Sequence, residues 1–287
     1  MSRPHICFVQ AQAIPWSASG FAELGIQVDV KALSRDTDAG AVTEIMRLSP
    51  GMKLPGPMYF PCVFEFYVLD GSFTVGTQVY KKDSYAYLPA GYTWSEMRSD
   101  VGAVLLAMFS ATPRPTHGPS PVGMCDPAKT VVHLDAFAME WKTGAEGSVT
   151  GKPLSPSIFT KKLRVDPVTF EQTFLYSALP QHAPSKIMLG KFAHPVIEEI
   201  FVLSGEYVFG DVGKMGPGGY SWWRENEYHG PAGSETGYNL LIRIHGGPLV
   251  NSFSKEPSPF TYTPDHKPAL PPELADYSTP YPFQNPW

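Results

Sequence analysis

The sequence carries one pattern twice, and the spacing of the two copies predicts how the chain is divided. Residues 65–71 read E-F-Y-V-L-D-G, and residues 199–205 read E-I-F-V-L-S-G, at an offset of 134. Further along, L-P-A-G-Y-T-W at 88–94 aligns with W-R-E-N-E-Y-H at 223–229, at an offset of 135. A pattern that recurs at nearly the same offset predicts two similar domains in tandem.

The composition favours an all-β protein with many turns. The chain has 30 Pro and 26 Gly, and only 17% of its residues are charged. Short apolar runs alternate with these turn residues, which is typical of small barrels built from short strands. We therefore expect two tandem β-barrels. Their expected bounds are a first copy at 1–112, a Pro-rich linker at 113–127, a second copy at 128–250 and a Pro-rich arm at 251–287.

The arm is too rich in Pro to form a core by itself, yet it contains six aromatic residues. We expect it to pack these rings on the barrels or on a second subunit, rather than to be disordered. The aromatic residues are Phe260, Tyr262, Tyr277, Tyr281, Phe283 and Trp287.

Three side chains in the second copy are suited to holding a metal ion. His194 and Glu198 are four residues apart, so an extended strand points both to the same face. His229 follows a turn and can reach the same spot. Two imidazoles and a carboxylate are the ligand set of the facial triad in non-heme Fe(II) oxygenases, and they also suit Zn, Mn, Ni or Cu.

The spacing of these residues resembles the two cupin motifs, G-x5-H-x-H-x3,4-E-x6-G and G-x5-P-x-G-x2-H-x3-N. His194 matches the second His of the first motif, Glu198 matches its Glu, and His229 matches the His of the second motif. The run H-P-x-x-E-E-x-x-x-L-S-G is similar to that of ChrR-type cupins. This resemblance implies a bicupin of two jelly-roll barrels (double-stranded β-helices), which commonly form homodimers. The departures from the motifs fall on Phe192, Arg224, Asn226 and Gly233.

The first copy has rings where the second has candidate ligands. By the repeat offsets, Phe60 stands for His194, Phe64 for Glu198 and Trp94 for His229. None of these side chains can bind a metal, so we expect one metal-binding barrel and one structural barrel. His182 and His245 are further candidate ligands in the second copy.

The second copy is also rich in aromatic residues, which indicates an apolar pocket for a small hydrophobic or aromatic ligand. Alternation along the strands predicts a set of inward-facing residues beside the metal. Arg243 could pair with a ligand carboxylate, although it could also lie on the surface. Glu199 is adjacent to Glu198 on the strand and should therefore point to the opposite face. The predicted pocket residues are Phe192, Phe174, Tyr176, Tyr220, Trp222 and Arg243.

Three functions fit these features. One is a metal-dependent dioxygenase, with Fe(II) favoured and Zn, Mn or Ni as alternatives, that cleaves a C–C bond in a small aromatic or dicarbonyl compound. Another is a zinc-binding ChrR-like sensor without catalysis. The last is a bicupin that has lost its chemistry. Within the enzyme hypothesis, the three metal ligands act as ligands and not as acid–base groups.

The bulk charge and the ends of the sequence give expectations about partners and location. The formal net charge of −5 argues against nucleic acid or an anionic membrane as a partner. The first residues lack the apolar run of a signal peptide, and no apolar run is long enough to span a bilayer. Three widely spaced cysteines suit a reduced, cytoplasmic setting.

Overall fold

Strands occupy the short apolar runs that lie between turns in the sequence, and the helical structure of the described residues is limited to short 3-10 turns. The computed structural model describes residues 3–18, 21, 26, 28–182, 187–210 and 212–279. It confirms the prediction of an all-β protein with two barrels. The strands are β1 (Ile6–Gln10), β2 (Ser17–Ala18), β3 (Val28–Arg35), β4 (Val42–Leu48), β5 (Met52–Tyr59), β6 (Phe64–Val75), β7 (Gln78–Lys81), β8 (Ser84–Leu88), β9 (Trp94–Ser99), β10 (Ala103–Phe109), β11 (Thr116–His117), β12 (Val131–Asp135), β13 (Ile158–Val165), β14 (Gln172–Ala178), β15 (Ile187–Ala193), β16 (Ile197–Gly205), β17 (Tyr207–Phe209), β18 (Gly213–Met215), β19 (Gly219–Trp223), β20 (Ala232–Gly233), β21 (Tyr238–His245) and β22 (Ser252–Phe260).

The chain forms two compact units whose bounds differ from a simple division along the sequence. Unit 1 comprises Met1–Pro4 and Ile14–Met139, and unit 2 comprises His5–Ala13 and Glu140–Trp287. Strand β1 thus belongs to unit 2, where it pairs with β19 and is buried along its whole length. Strand β12 belongs to unit 1, where it pairs with β8. Both strands pair with strands that are distant in sequence, so dividing the sequence into consecutive segments does not predict the unit to which each belongs.

Unit 1 is built on one large antiparallel sheet that curls around an aromatic core. Along its main path the strands run in the order β11-β5-β9-β6-β10-β4-β3-β2, with β7 and β8 on β6 and β12 on β8. The interior is filled mainly by rings and aliphatic chains. The largest fully buried aromatic residues of this unit are Phe66, Phe73, Tyr80, Tyr85 and Phe109.

Unit 2 consists of a six-stranded sheet and two smaller sheets. The large sheet has the order β1-β19-β16-β21-β14-β13, and the smaller ones are β15-β22 and β18-β17-β20. The described part of the C-terminal arm belongs to this unit. Its strand β22 pairs with β15, Phe260 and Tyr262 pack on Val208, and Ala269 bridges to Cys7. Of the six aromatic residues of the arm, Tyr281, Phe283 and Trp287 lie outside the described residues.

The two units repeat each other in side-chain detail. In unit 1 the Tyr85 hydroxyl donates to the Glu65 carboxylate at 2.7 Å, and both side chains are buried. In unit 2 the Tyr220 hydroxyl donates to the Glu199 carboxylate at 2.8 Å, and both are again buried. These pairs stand at the repeat offsets, so the duplication extends from the strand pattern to buried polar contacts.

Among the described residues, no helix has the length and apolar character that crossing a membrane requires.

A carboxyl group is buried on the inner face of the unit 1 sheet. Glu44 lies on β4 between Val42 and Met46, which are two residues to either side and belong to the apolar core. Its neighbours on the adjacent strands are Ala32 and Ala107. Burial raises the pKa of Glu44 to about 7, more than the nearby charge of Arg35 lowers it.

This shift predicts a pH-dependent stability that Glu44→Gln should remove. Because the folded pKa lies above the unfolded value, the carboxyl favours folding fully below pH 4.5, and that contribution is lost as the pH rises through about 7. Between pH 4 and pH 8 the free energy of unfolding of wild type should fall about 3 kcal/mol further than that of Glu44→Gln. Denaturant titrations of both proteins at the two pH values measure this difference. Equal pH dependence would contradict the prediction.

Candidate metal centre

Strand β16 positions Glu198 by pairing on both of its edges. Glu198 lies opposite Trp223 of β19 and Ile244 of β21, while Glu199 lies opposite Trp222 and Arg243. Directly opposed residues of antiparallel strands share a face of the sheet. Glu198 therefore points to the inside of unit 2, and Glu199 points to the other face, as the alternation predicts.

Backbone hydrogen bonds bring the two histidines to Glu198. His229 and Phe192 form an isolated antiparallel bridge, in which each backbone N–H donates to the carbonyl of the other at 2.8 and 2.9 Å. The carbonyl of His194 accepts from the N–H of Asn226 at 2.6 Å. Asn226 adopts a φ of 61°, a left-handed conformation that Asn tolerates better than most residues. The irregular second motif thus still forms its turn.

The three side chains meet at one buried point. One potential ligand atom from each of His194, Glu198 and His229 lies within 4.8 Å of the other two. The Glu198 Oε2 atom is 3.1 Å from His229 Nε2 and 3.7 Å from His194 Nε2. The three residues are only 4, 5 and 3% exposed, respectively. A buried set of this kind needs a positive charge or hydrogen-bond partners to be stable.

The contacts of the Nδ1 atom of each imidazole show that the Nε2 atom is the one available to a metal ion. His194 Nδ1 lies 3.3 Å from the carbonyl of Val250, and His229 Nδ1 lies 2.8 Å from the carbonyl of Glu227. A carbonyl only accepts, so each Nδ1 carries a hydrogen, and in the neutral form of each ring the lone pair of Nε2 points towards Glu198. The Nε2 atom of His194 is buried without a hydrogen-bond partner. Lone pairs that converge on a carboxylate fit a bound cation.

The electrostatics of the site keep these groups in the forms that a metal requires. Burial lowers the pKa of His194, which favours the neutral imidazole. Burial raises the pKa of Glu198, but a hydrogen bond from His229 and the positive charge of protonated imidazoles, which act only while no metal ion occupies the Nε2 atoms, outweigh burial and leave the pKa lowered. Neutral imidazoles and an ionised carboxylate are the metal-binding forms. Ligands about 2.1 Å from one ion at a right angle lie about 3 Å apart, close to the separations seen here.

Aromatic rings hold His229 in this orientation. Trp223 stacks on its imidazole, with ring centroids 4.6 Å apart and an interplanar angle of 23°. Phe192 meets the same imidazole edge-on at 4.6 Å, and Phe209 lies parallel to it at 6.0 Å. The chain offers Phe192 where a further His would stand in the motif, so its ring closes this side of the site.

A cavity of about 500 Å³ opens beside His194 and Glu198. The structure places three of the predicted pocket residues in its wall, namely Phe192, Phe174 and Tyr176. Aliphatic side chains such as Ile200 and Leu240, together with the hydroxyl-bearing Tyr207 and Tyr238, complete the lining near the candidate ligands. The cavity thus suits a small molecule with an apolar body.

The other three predicted pocket residues are not in the cavity wall. Tyr220 and Trp222 lie opposite Phe201 and Glu199 on the outer face, and Trp223 is the inward-facing residue instead. Arg243 also shares the face of Glu199 and donates to its carboxylate at 2.9 Å. The prediction was wrong by one residue on β19, because two adjacent tryptophans leave the strand's inward face ambiguous in the sequence.

The remaining histidine candidates lie apart from the cluster. His182 is exposed, and His245 lies 3.7 Å from the carboxylate of Glu199 on the opposite face of β16. The sequence reasoning missed Tyr207 and Tyr238 as cavity residues. Tyr238 begins a strand whose inward positions follow from Leu240 and Ile242, so alternation could have found it.

Unit 1 contains rings at the equivalent positions. Phe60 lies 5.3 Å from Phe64 and 5.2 Å from Trp94 between ring centroids, and all three side chains are buried. The aromatic side chains therefore meet as the candidate ligands of unit 2 do. Within the described part of the chain, the His194–Glu198–His229 group is the one found with metal-ligand spacing.

Comparisons with known proteins agree with this architecture. Residues 5–112 match the family described as the ChrR cupin-like domain. This match covers most of the ring-filled unit 1 rather than the part with the candidate ligands. No curated protein matches the sequence at a significant level.

Solved structures extend the likeness over both units. A candidate dioxygenase of Nostoc punctiforme is 18% identical, with a TM-score of 0.73 over 92% of each chain. Oxalate decarboxylase from Bacillus subtilis is 11% identical, with a TM-score of 0.50 over 86% of this chain and 78% of that one. Another structure of the latter enzyme, with the same identity and TM-score, is described with Mn(II) centres. At these identities the likenesses establish the fold.

Proposed function

The chain is a cupin-superfamily protein, and from this premise we propose that it is a metal-dependent dioxygenase acting on a small aromatic or dicarbonyl compound in unit 2. The observation that carries the proposal is the convergence of two imidazole nitrogens and one carboxylate at the wall of an apolar cavity. A function in unit 1 has no such support, since its equivalent positions are phenyl and indole rings.

A divalent transition metal, which we propose to be Fe(II), would supply Lewis acidity and electron transfer at positions that the protein leaves open. Around it, the residues of unit 2 have distinct tasks. His194, Glu198 and His229 would hold the ion, and the carbonyls of Val250 and Glu227 fix the histidine tautomers.

The cavity wall would bind and orient the substrate. Phe174 and Phe192 offer apolar faces for a ring or a flat conjugated system. A wall of this kind excludes bulk water, which strengthens electrostatic interactions inside the site. The described cavity has no acidic side chain besides Glu198 in its lining. An enolate or phenolate oxygen would therefore meet no second carboxylate there.

Oxygen uptake by the metal-loaded protein tests this proposal. The protein is loaded anaerobically with Fe(II), and oxygen consumption is followed with catechols and β-diketones, beside a Glu198→Ala variant. We expect consumption that depends on substrate in wild type and is absent from the variant. The absence of uptake with every compound of both classes would contradict the enzyme proposal. Tightly held zinc without turnover would instead favour the alternative of a zinc-binding ChrR-like sensor.

The same loading experiment distinguishes the candidate metals. Mn(II) is the leading alternative, because a structure of similar fold is described with Mn(II) centres. Activity with Mn(II) and not with Fe(II) would show that the proposed metal is wrong, but it would leave the proposed site unchanged.

A further inference from the structure

Three tyrosines line the cavity, and no other residue that the structure describes forms a hydrogen bond with their hydroxyls. Tyr176 lies on β14, Tyr207 on β17 and Tyr238 on β21, and all three contribute to the wall that also contains Glu198. Their rings are close together, with centroids 4.9 Å apart for Tyr207 and Tyr238 and 6.3 Å apart for Tyr176 and Tyr238. None of the three hydroxyls bonds to a residue that the structure describes.

This arrangement contrasts with three buried tyrosines elsewhere in the described chain. The hydroxyls of Tyr85 and Tyr220 each donate to a glutamate, and that of Tyr80 donates to the carbonyl of Val132. Buried hydroxyls normally have such partners, because leaving one unpaired is costly. Three such hydroxyls in one wall can bind a partner that enters the cavity.

The chemistry of the hydroxyls decides what that partner must be. Burial raises the pKa of Tyr176 to about 12, and burial likewise raises the pKa of Tyr207 and of Tyr238 well above the ordinary value. The phenols therefore stay protonated at neutral pH and present hydrogens to the cavity. An oxygen with lone pairs satisfies them, whereas a hydrocarbon or an ammonium group does not.

The rest of the lining leaves room for such an oxygen beside an apolar body. Ile200, Leu240 and Ile242 add aliphatic surface to the lining, whose described part also includes the polar side chains of Gln181 and Asn251. Lys152 is the single cationic side chain of the described lining, and it is exposed. A ligand with an oxygen group for the phenols and an apolar middle matches this distribution.

We propose that the substrate carries a second oxygen group, a carbonyl or a carboxylate, in addition to the group that meets the metal, and that Tyr176, Tyr207 and Tyr238 bind it. This inference rests on the proposed metal centre for the first group, but the role of the tyrosines can be tested without it. By binding the second oxygen group, the three phenols would determine specificity, since they discriminate against analogues that lack this group.

Calorimetric binding to the Mn(II)-loaded protein under argon tests the inference with three matched probes. Catechol offers only a chelating pair, 3,4-dihydroxybenzaldehyde adds a neutral carbonyl, and 3,4-dihydroxybenzoate adds a carboxylate. We expect at least one of the last two to bind wild type about 10-fold or more tightly than catechol. Which of them gains more identifies the oxygen group as neutral or anionic.

A triple variant with Tyr176→Phe, Tyr207→Phe and Tyr238→Phe should lose this preference. We expect its affinities for the three probes to converge within about 2-fold, while the affinity for catechol stays at the wild-type value. Tyr228→Phe is the matched control, because Tyr228 is an exposed tyrosine of the same unit and should leave the preference intact. A preference of equal size in wild type and the triple variant overturns the inference, and so does the absence of any preference in wild type.

A separate comparison keeps the two proposals distinguishable. Failure of catechol to bind would count against the metal chemistry and not against the tyrosines. Benzoate, benzaldehyde and toluene, which do not chelate, are then compared on the metal-free protein. A preference for benzoate or benzaldehyde over toluene that disappears in the triple variant supports the inference. An unchanged or absent preference overturns it.

Discussion

The His229→Ala variant is expected to bind a transition metal at least about 100-fold more weakly than wild type, because the loss of a residue that only orients a ligand already costs 10–100-fold. His229 presents Nε2 at 3.1 Å from Glu198, with its other nitrogen held by the carbonyl of Glu227. Alanine removes one of three donors and leaves Glu198 facing a single imidazole. Elemental analysis of both purified proteins, followed by competition with a metal-sensitive dye, measures the change.

The control for this prediction is His182→Ala. His182 is an exposed histidine of the same unit that lies apart from the His194–Glu198–His229 group. It should retain one equivalent of metal with the affinity of wild type. Since His229 also packs on Trp223, circular dichroism of the variant must confirm that unit 2 remains folded. A folded His229→Ala protein with the metal content of wild type would show that the ion lies elsewhere.

The repeat made much of this architecture accessible from the sequence. The offsets that align 65–71 with 199–205 also align Phe64 with Glu198, and the structure gives both the same place on equivalent strands. Strand alternation then predicts which side chains share a face, as it did for Glu198 and Glu199. The fold and the meeting of His194, Glu198 and His229 follow from these local rules, while metal binding itself stays a prediction.

Other features depend on information that local patterns lack. The membership of β1 in unit 2 reflects its pairing with β19, which is more than 200 residues away in sequence. An apolar strand does not identify its partner, because many edges offer the same backbone groups. The error at Trp222 has another origin, since Trp222 and Trp223 are adjacent and only the pairing with β16 shows that Trp223 faces inwards. Arg243 was misplaced because its contact with Glu199 joins strands β21 and β16, and the sequence does not show which charged side chains pair across two strands.

The second large effect concerns the ring-filled centre of unit 1, where Phe64→Glu should unfold the unit. The Phe64 side chain is 2% exposed and packs on Phe60, Phe66 and Phe109 at ring-centroid distances of 4.8–5.3 Å. The substitution would place a carboxylate where unit 2 has Glu198, but without the two imidazoles. Loss of the ring alone costs about 3–5 kcal/mol, and a buried carboxyl without a partner adds to it.

The sum approaches the whole stability of a typical domain, about 5–15 kcal/mol, so the prediction is tested by the fraction of folded protein. Phe137→Glu is the matched control, because Phe137 belongs to unit 1 and is 79% exposed; its expected change is within about 0.5 kcal/mol. Phe64→Leu provides an intermediate that still folds, with a cost of about 1–2 kcal/mol in urea titrations. A Phe64→Glu protein as stable as Phe137→Glu would show that the aromatic contacts of Phe64 do not stabilise unit 1. A glutamate is thus expected to unfold unit 1 at position 64, whereas unit 2 needs one at position 198 to hold a metal ion. The difference arises because only unit 2 places two imidazoles beside the carboxylate, with which it can bind a cation.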